Sequence, residues 1–526
     1  MKTLTQLLKK PYFLSLTFIL LLVLLACAAP AISTPSLPAI EPSTPQPLGG
    51  VWMGTAQKPD GETLSIIINF DESTLQIEPF IKTWEISASQ AESMIHFFIE
   101  GKERDPFKTM EFTGSFSGPL QLSGDIIFDG KSSLTMFLPI KSLAKEKYER
   151  YEGVYKFGSG RALSIILSPE FTSGGLQFFS NTLMMTDFES GALRSLYPLD
   201  EQTFLVGVKR DIGAPFDGKI QFQKDAQGRV TGLMWWRDAY DPGNSEPATR
   251  IDYSIEDHIE FTSQDGKKLV GRLSLPISDL PVPAIMQLHG SEPGTRDNFG
   301  AKAMAHFMIS QGFAILNYDK RGVGDSQGVY QEAASTVNLQ RHASDAIAGV
   351  EYLKSRVEID PSHIGLIGGS QAGWVIPLAA SQSDAITYFV IISGPVASTS
   401  QEDMFSSYTN DGESDTAYDD AKITQRLREM SPGGFDPIPV LQELEQPGLW
   451  LWGSVDKNQP VTFDAENLQA LMDTGKDNFS YIIFPNGDHN LNETPHGLFA
   501  EMPFSPRVLF YSMLAEWLKK NTSKGK

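Results

Sequence analysis

The stretch Ile364-Gly365-Leu366-Ile367-Gly368-Gly369-Ser370-Gln371-Ala372-Gly373 limits the fold more than any other part of the chain. It reads as a buried strand that runs through a tight turn into a helix, with Ser370 at the tip. Strand and helix backbones converge at such a turn, so the positions two before and two after the tip must be small. Gly368 and Ala372 satisfy this. Ala372 replaces the second glycine of the usual Gly-x-Ser-x-Gly spacing, a difference of one methyl, and Gly373 gives further room. The texture of the chain after Ile251 agrees. Apolar runs at Pro283 to His289, Phe313 to Tyr318, Ile364 to Gly368, Tyr388 to Ser393, Gly448 to Gly453 and Phe479 to Phe484 read as strands. They alternate with helix-like stretches at Gly300 to Gln311, Ser335 to Arg356, Ala372 to Ser383, Thr462 to Met472 and Ser505 to Lys519. The alternation predicts an open, wound, parallel sheet, whose chemistry lies on loops outside the carboxyl ends of its strands.

A serine hydroxyl is a poor nucleophile at neutral pH and needs a histidine base, itself oriented by a carboxylate. The strand Leu449-Trp450-Leu451-Trp452 opens into a loop that carries Asp456, and Tyr481-Ile482-Ile483-Phe484 opens into Pro485-Asn486-Gly487-Asp488-His489. Asp456 and His489 therefore stand at strand ends where they can converge on Ser370, in the chain order Ser, Asp, His. Asp488 is the poorer acid because it directly precedes the histidine, and His496 is the poorer base because it follows the loop rather than standing at its apex. The oxyanion formed on attack needs preorganised N–H donors. Gln371 supplies one, and the loop Leu288-His289-Gly290-Ser291-Glu292-Pro293-Gly294 supplies the other at Ser291, with Gly290 permitting the turn and His289 shaping the loop. This chemistry requires no metal and no organic cofactor.

From about residue 255 to 520 the chain resembles the α/β-hydrolase superfamily, in the branch of serine aminopeptidase-like and dienelactone hydrolase-like esterases. Tyr318-Asp319-Lys320-Arg321-Gly322-Val323-Gly324-Asp325-Ser326 is similar to that branch's Asp-x-Arg-Gly-x-Gly-x-Ser loop, and the run from His289 to Asp297 resembles its oxyanion loop. The resemblance implies an α/β-hydrolase fold, a mostly parallel wound sheet with helices on both faces and a lid insert. It places Ser370, Asp456 and His489 at the family's nucleophile, acid and base, while Gly369 departs from the His or other residue often found before the nucleophile. Asp319, Arg321 and Asp325 read as ion-pair scaffolding around the site. The insert is expected at about 395–447, and its acidic run Glu413, Asp415, Asp419 and Asp420 reads as a solvated helix face in preference to an amine-binding cluster.

Ahead of this half, residues 48–250 read as all β. Apolar runs such as Leu64-Ser65-Ile66-Ile67-Ile68 and Ala162-Leu163-Ser164-Ile165-Ile166-Leu167 are separated by Gly, Asp and Ser clusters. Gly50-Val51-Trp52 with its following Leu64-Ser65-Ile66-Ile67 is echoed by Gly153-Val154-Tyr155 and Leu163-Ser164-Ile165-Ile166, which predicts two similar β-meander or barrel units, 48–145 and 146–250. No catalytic constellation falls here, and the adjacent Trp235 and Trp236 point to opposite faces of a strand, so at least one belongs to a core.

Lys2, Lys9 and Lys10 precede the uncharged apolar stretch Phe13 to Ala26, which ends in Leu24-Leu25-Ala26-Cys27, the pattern of an export signal. It resembles the bacterial lipoprotein signal, which implies cleavage before Cys27 and lipidation of its thiol. A retained transmembrane anchor is the alternative. The expected layout is then a signal at 1–27, a Pro-, Ser- and Thr-rich stalk at 28–47, and a catalytic domain at 251–526 held outside the cytoplasm on the cell envelope. Cys27 is the single cysteine, which excludes an intrachain disulfide and thiolate metal sites. A net charge of −21 opposes nucleic-acid binding. The expected partners are a small ester or short peptide, a membrane through the lipid anchor alone, and polymer or cell wall through the β domains. Hydrolysis of carboxylic esters through an acyl-enzyme leads; a serine peptidase acting on short peptides, and a surface binding protein with an inactive hydrolase fold, are the alternatives.

Overall fold

The computed structural model describes residues 48–522, apart from 79–81, 92, 104, 119–120, 142, 169–170, 174–175, 180–181, 211, 239–242, 417–418, 499–506 and 508. The expected export signal, Cys27 and the stalk lie outside the described residues.

The β half contains two different objects. Nine strands between Val51 and Ile140 form one antiparallel sheet. Alternation along these strands sends Ile95, Phe97 and Ile99 inward from a single strand, to meet Trp52, Phe112 and Phe137 in one core. Eight strands between Gly153 and Arg250 close into a barrel filled by Tyr155, Leu163, Phe204, Phe222 and Trp235. The sequence echo corresponds to the first hairpin of each unit, with Trp52 opposite Ile68 in one and Tyr155 opposite Leu163 in the other. Trp235 is buried in the barrel, whereas Trp236 lies on the other face with Lys219 Nζ 4.7 Å from its ring.

The third sheet holds eight strands: β1 (Tyr253–Thr262), β2 (Lys268–Pro276), β3 (Val282–Leu288), β4 (Ala314–Tyr318), β5 (Ile359–Gly369), β6 (Tyr388–Ile392), β7 (Gly448–Gly453) and β8 (Phe479–Phe484). Their order is β1-β2-β4-β3-β5-β6-β7-β8, with β3 to β8 parallel and β2 antiparallel to both of its neighbours. Side chains alternate between two cores. Ile285, Ile315, Ile367, Val390 and Leu449 pack under α1 (Phe299–Ser310) and α8 (Phe510–Thr522). On the opposite face, Met286, Leu316, Leu366, Phe389 and Trp450 pack under α2 (Thr336–Lys354), α3 (Ala372–Ala380), α6 (Ile438–Glu443) and α7 (Val461–Asp473). Burial on both faces is why the inner strands are apolar throughout. β1 escapes the sequence pattern because it lies at the sheet edge and buries Phe261 alone.

Between β6 and β7 stand α4 (Thr399–Thr409), α5 (Asp420–Glu429) and α6. Phe405, Ile423 and Leu427 form a small core with Phe463 of α7, so α4 and α5 cap the body, while Leu441 of α6 enters the main core. Glu413, Asp415, Asp419 and Asp420 are exposed, and Asp419 caps α5 by accepting from Lys422 N–H at 3.2 Å.

Barrel and hydrolase sheet share a core. Phe188 of the barrel lies 5.3 Å from the Phe307 ring and 4.8 Å from Tyr511, within the same cluster as Val154 and Ala162. His306 of α1 joins Ser164 Oγ (2.6 Å) of the barrel to Tyr253 Oη (3.0 Å) of β1, and burial pushes its pKa down to about 3, so it is a neutral structural group. Phe188→Ala is expected to lower stability by about 3 kcal/mol in urea unfolding, with barrel and hydrolase half melting in one transition. Loss of barrel structure at a urea concentration that leaves the hydrolase half folded would contradict a shared core.

Candidate active site

β5 ends at Gly369 and α3 begins at Ala372. Ser370 between them has φ of 53°, a left-handed conformation that costs a non-glycine residue energy and marks strain at the tip. The Ser370 N–H donates to Ile392 O at 3.0 Å, and its carbonyl accepts from Gly373 N–H at 2.8 Å. A Cβ on Gly368 would stand 2.6 Å from Ala372 Cβ and 3.1 Å from Leu288 Cβ. The turn therefore has room for one methyl in the pair 368/372. Glycine at 368 is what allows alanine at 372.

Asp456 follows β7 and His489 follows β8, at the same sheet edge as Ser370. Asp456 Oδ1 accepts from the N–H groups of Asn458 (2.8 Å) and Gln459 (3.1 Å), which fixes the carboxylate, and its two oxygens lie 3.0 and 2.9 Å from His489 Nδ1. With Nδ1 donating to Asp456, Nε2 is the nitrogen able to take a proton. No hydrogen bond joins Ser370 Oγ to His489 among the described residues; such contacts commonly tighten only with substrate bound. Burial pulls the His489 pKa down, but Asp456, supported by Glu402 and Asp488, outweighs it and holds the imidazole above its ordinary 6.5. Asp488 shapes the loop by accepting from Asn490 N–H (2.8 Å) and Asn492 N–H (2.9 Å), and His496 is exposed.

Gly290 packs against Ser370: a Cβ there would lie 3.2 Å from Ser370 Cβ and 2.6 Å from Glu292 Oε2. Among the described residues, neither Ser291 N–H nor Gln371 N–H donates to a backbone carbonyl. His289 Nε2 donates to Tyr318 O at 2.6 Å, and Gly294 leaves space for its ring, since a Cβ there would lie 2.0 Å from Nδ1.

Ion pairs brace the loop after β4. Asp319 accepts from the N–H groups of Arg296 (2.9 Å) and Asp325 (2.9 Å) and pairs with the Arg296 guanidinium, which also reaches Asp325 Oδ2 at 2.8 Å. Arg321 bridges Asp345 (Nε to Oδ2, 3.0 Å) and Asp265 (Nη1 to Oδ2, 2.6 Å). Sequence reasoning did not reach two nearby groups. Lys320 lies between the scaffold residues Asp319 and Arg321, and its buried ammonium donates to Gly290 O at 2.6 Å. Glu402 of α4, ahead of the exposed acidic run, is close enough to His489 for each to shift the other, and burial with Asp403 beside it pushes its carboxyl up to about 8. Local pattern carries no signal for either, because both roles depend on loops distant in sequence.

A serine turn after a central strand, with an Asp–His pair on the loops that follow two later strands of a sheet in this order, defines the α/β-hydrolase fold. From β1 onward the chain has the α/β-hydrolase fold, with an all-β region before it. Residues 299–520 match the model of the prolyl oligopeptidase family of S9 peptidases. The chain is 23% identical over 295 residues to esterase EstD of Thermotoga maritima, covering 50% of this chain and 67% of that protein. It is 26% identical over 256 residues to the uncharacterized peptidase YuxL of Bacillus subtilis, covering 46% of this chain and 36% of that protein. Acylaminoacyl peptidase of Pyrococcus horikoshii aligns with 15% identity and a TM-score of 0.40, over 90% of this chain and 87% of that one.

Asp456→Asn is expected to lower kcat by about 10³- to 10⁴-fold, because the imidazole loses the partner that holds its tautomer. His489 must be neutral to accept a proton, and its pKa is raised, so activity is lost as pH falls through a value above 6.5. A wild-type kcat/KM profile whose acid limb lies below that value would contradict the Asp456–His489 coupling.

Proposed function

We propose that the chain hydrolyses carboxylic esters through an acyl-enzyme on Ser370. As the hydroxyl attacks the ester carbonyl carbon, His489 Nε2 takes its proton, while Asp456 keeps Nδ1 protonated and stabilises the imidazolium. The carbonyl oxygen, now negative, accepts from Ser291 and Gln371 N–H. Collapse of the tetrahedral intermediate expels the alkoxide, which receives the proton from His489. Water then repeats the attack on the acyl-enzyme, giving its proton to His489, and the acid leaves with Ser370 restored. The observation that carries this reading is the Asp456–His489 pair, 2.9 Å apart on the loops after β7 and β8, at the same sheet edge as the strained Ser370 turn.

Ester in preference to peptide is supported by the acidic run in the insert, which is solvent-exposed, with Asp419 capping α5. A second reading, a serine peptidase acting on short peptides, draws support from Glu402, a carboxyl near His489 that could hold a substrate ammonium, and from relatives named as peptidases. Export and lipid anchoring at Cys27 belong to the same proposal and place the hydrolase outside the cytoplasm, with the β domains free to dock on polymer or cell wall.

kcat/KM of the chain from Ala28 onward, on short-chain p-nitrophenyl esters and aminoacyl-p-nitroanilides in parallel, tests the proposal. Ester turnover that exceeds anilide turnover, and disappears in Ser370→Ala, is expected. Preference for anilides would move the assignment to the peptidases, activity unchanged in Ser370→Ala would overturn the nucleophile, and no turnover of either would favour a binding protein.

A further inference from the structure

We infer that Lys320 is the positioning residue of the oxyanion hole: its side chain turns the peptide planes of the 290–292 loop so that the Ser291 N–H faces the nucleophile. The inference rests on reading Ser370 as nucleophile and Ser291 and Gln371 as oxyanion donors.

Lys320 follows β4 and is 2% exposed. An ammonium is costly to bury, and here carbonyl oxygens surround it: Nζ donates to Gly290 O at 2.6 Å, Ser291 O at 3.2 Å and Glu292 O at 3.4 Å. It also lies 3.5 Å from Gln371 Oε1 and 5.4 Å from the centre of the Tyr330 ring. In a planar trans peptide the carbonyl and the next N–H point in opposite directions. Drawing Gly290 O onto Lys320 therefore turns Ser291 N–H away from Lys320. Gly290 touches both, since its carbonyl accepts from Lys320 and a Cβ on it would come within 3.2 Å of Ser370 Cβ. The following plane is pinned twice, since Ser291 O also accepts from Tyr330 Oη at 2.6 Å. The backbone closes the clamp, with Lys320 N–H donating to Gly294 O at 3.0 Å.

Gln371, the residue of the other donor, is tied to the same ammonium through Oε1, and its Nε2 donates to Glu332 O at 2.8 Å. One buried cation thus couples both donor residues. Without it, the Gly290–Ser291 plane would be held by a glycine alone, the residue with the widest conformational freedom. A cation on the carbonyl side of that peptide also polarises it and strengthens the N–H as a donor. Orientation and polarisation both act on an oxyanion that exists only in the transition state, so the consequence belongs in kcat and leaves ground-state binding untouched.

Lys320→Met keeps the length of the side chain and removes its donors. Active sites are counted by the burst of p-nitrophenol, and kcat per titrated site is compared with KM and with the affinity of an alkyl trifluoromethyl ketone, a mimic of the tetrahedral intermediate. The expected result is a fall in kcat of about 10²-fold, KM within about twofold, and ketone affinity weakened in proportion to kcat. Tyr330→Phe, which removes a single bond to Ser291 O, is expected to show the same signature at about 3- to 10-fold, and decides the question alone if Lys320→Met does not fold. Wild-type kcat per site and ketone affinity in the folded variants, or a loss confined to KM or to the number of active sites, overturns the inference. Ser370→Ala in the same series separates the two claims. If it is inert while the Lys320 and Tyr330 variants are unimpaired, the positioning role falls alone; if it turns over ester, the reading of the site falls with it.

Discussion

The close approach of Gly368 and Ala372 governs the geometry of the catalytic half. With 2.6 Å available between a Cβ at one and the methyl of the other, strand and helix meet at a turn too sharp for larger side chains. Ser370 is held in the left-handed region as a result, at φ 53°. Such strain persists only where the surroundings overdetermine it. Ile391 and Ile392 of β6 on one side, and Leu288 of β3 on the other, are the hydrogen-bonded strand neighbours of Gly368 and Gly369 that do so. The other functional groups are placed relative to this tip by the same sheet, because Asp456, His489 and the 290–294 loop leave neighbouring strands at the same edge.

Rigidity around the tip comes from charge as well as packing. Arg296 and Arg321 each bridge more than one carboxylate, and Asp319 and Asp345 are almost fully buried beneath them. Desolvated ions of this kind contribute little net stability, but removing one partner leaves a buried charge exposed to a low dielectric, so the network resists rearrangement. Lys320 lies between the two arginine clusters in sequence and uses their rigidity for a different purpose, since its own partners are three backbone carbonyls and the Gln371 amide oxygen. The barrel adds mass from the opposite face, where Phe188 and His306 tie it to α1 and α8.

The inner strands of the hydrolase sheet were legible in the sequence to within a residue or two at most ends, because burial on both faces leaves an uninterrupted apolar run bounded by loop residues. β5 began five residues earlier than its apolar core suggests, through the polar segment Ile359 to His363. Asp456 and His489 were legible as candidates because each follows such a strand directly. Edge strand β1 was not, since one buried side chain sets no pattern. Nor was the difference between the two β units. Closure of the barrel depends on Tyr155 pairing with Arg250, and no local feature of either strand announces a partner so distant. Lys320 and Glu402 escaped for the same reason: a lysine inside a charged motif and a glutamate in a polar helix acquire meaning only from the groups that surround them in space.

The account stands on Ser370 being the group that attacks the acyl carbon. Treating the chain with an alkyl fluorophosphonate and mapping the adduct by mass spectrometry of proteolytic peptides tests this without any assumption about the natural substrate. The account predicts one adduct per chain, on the peptide containing Ser370, formed slowly or not at all in His489→Ala. Stoichiometric labelling of a different serine, with Ser370 unmodified in folded protein, would contradict it.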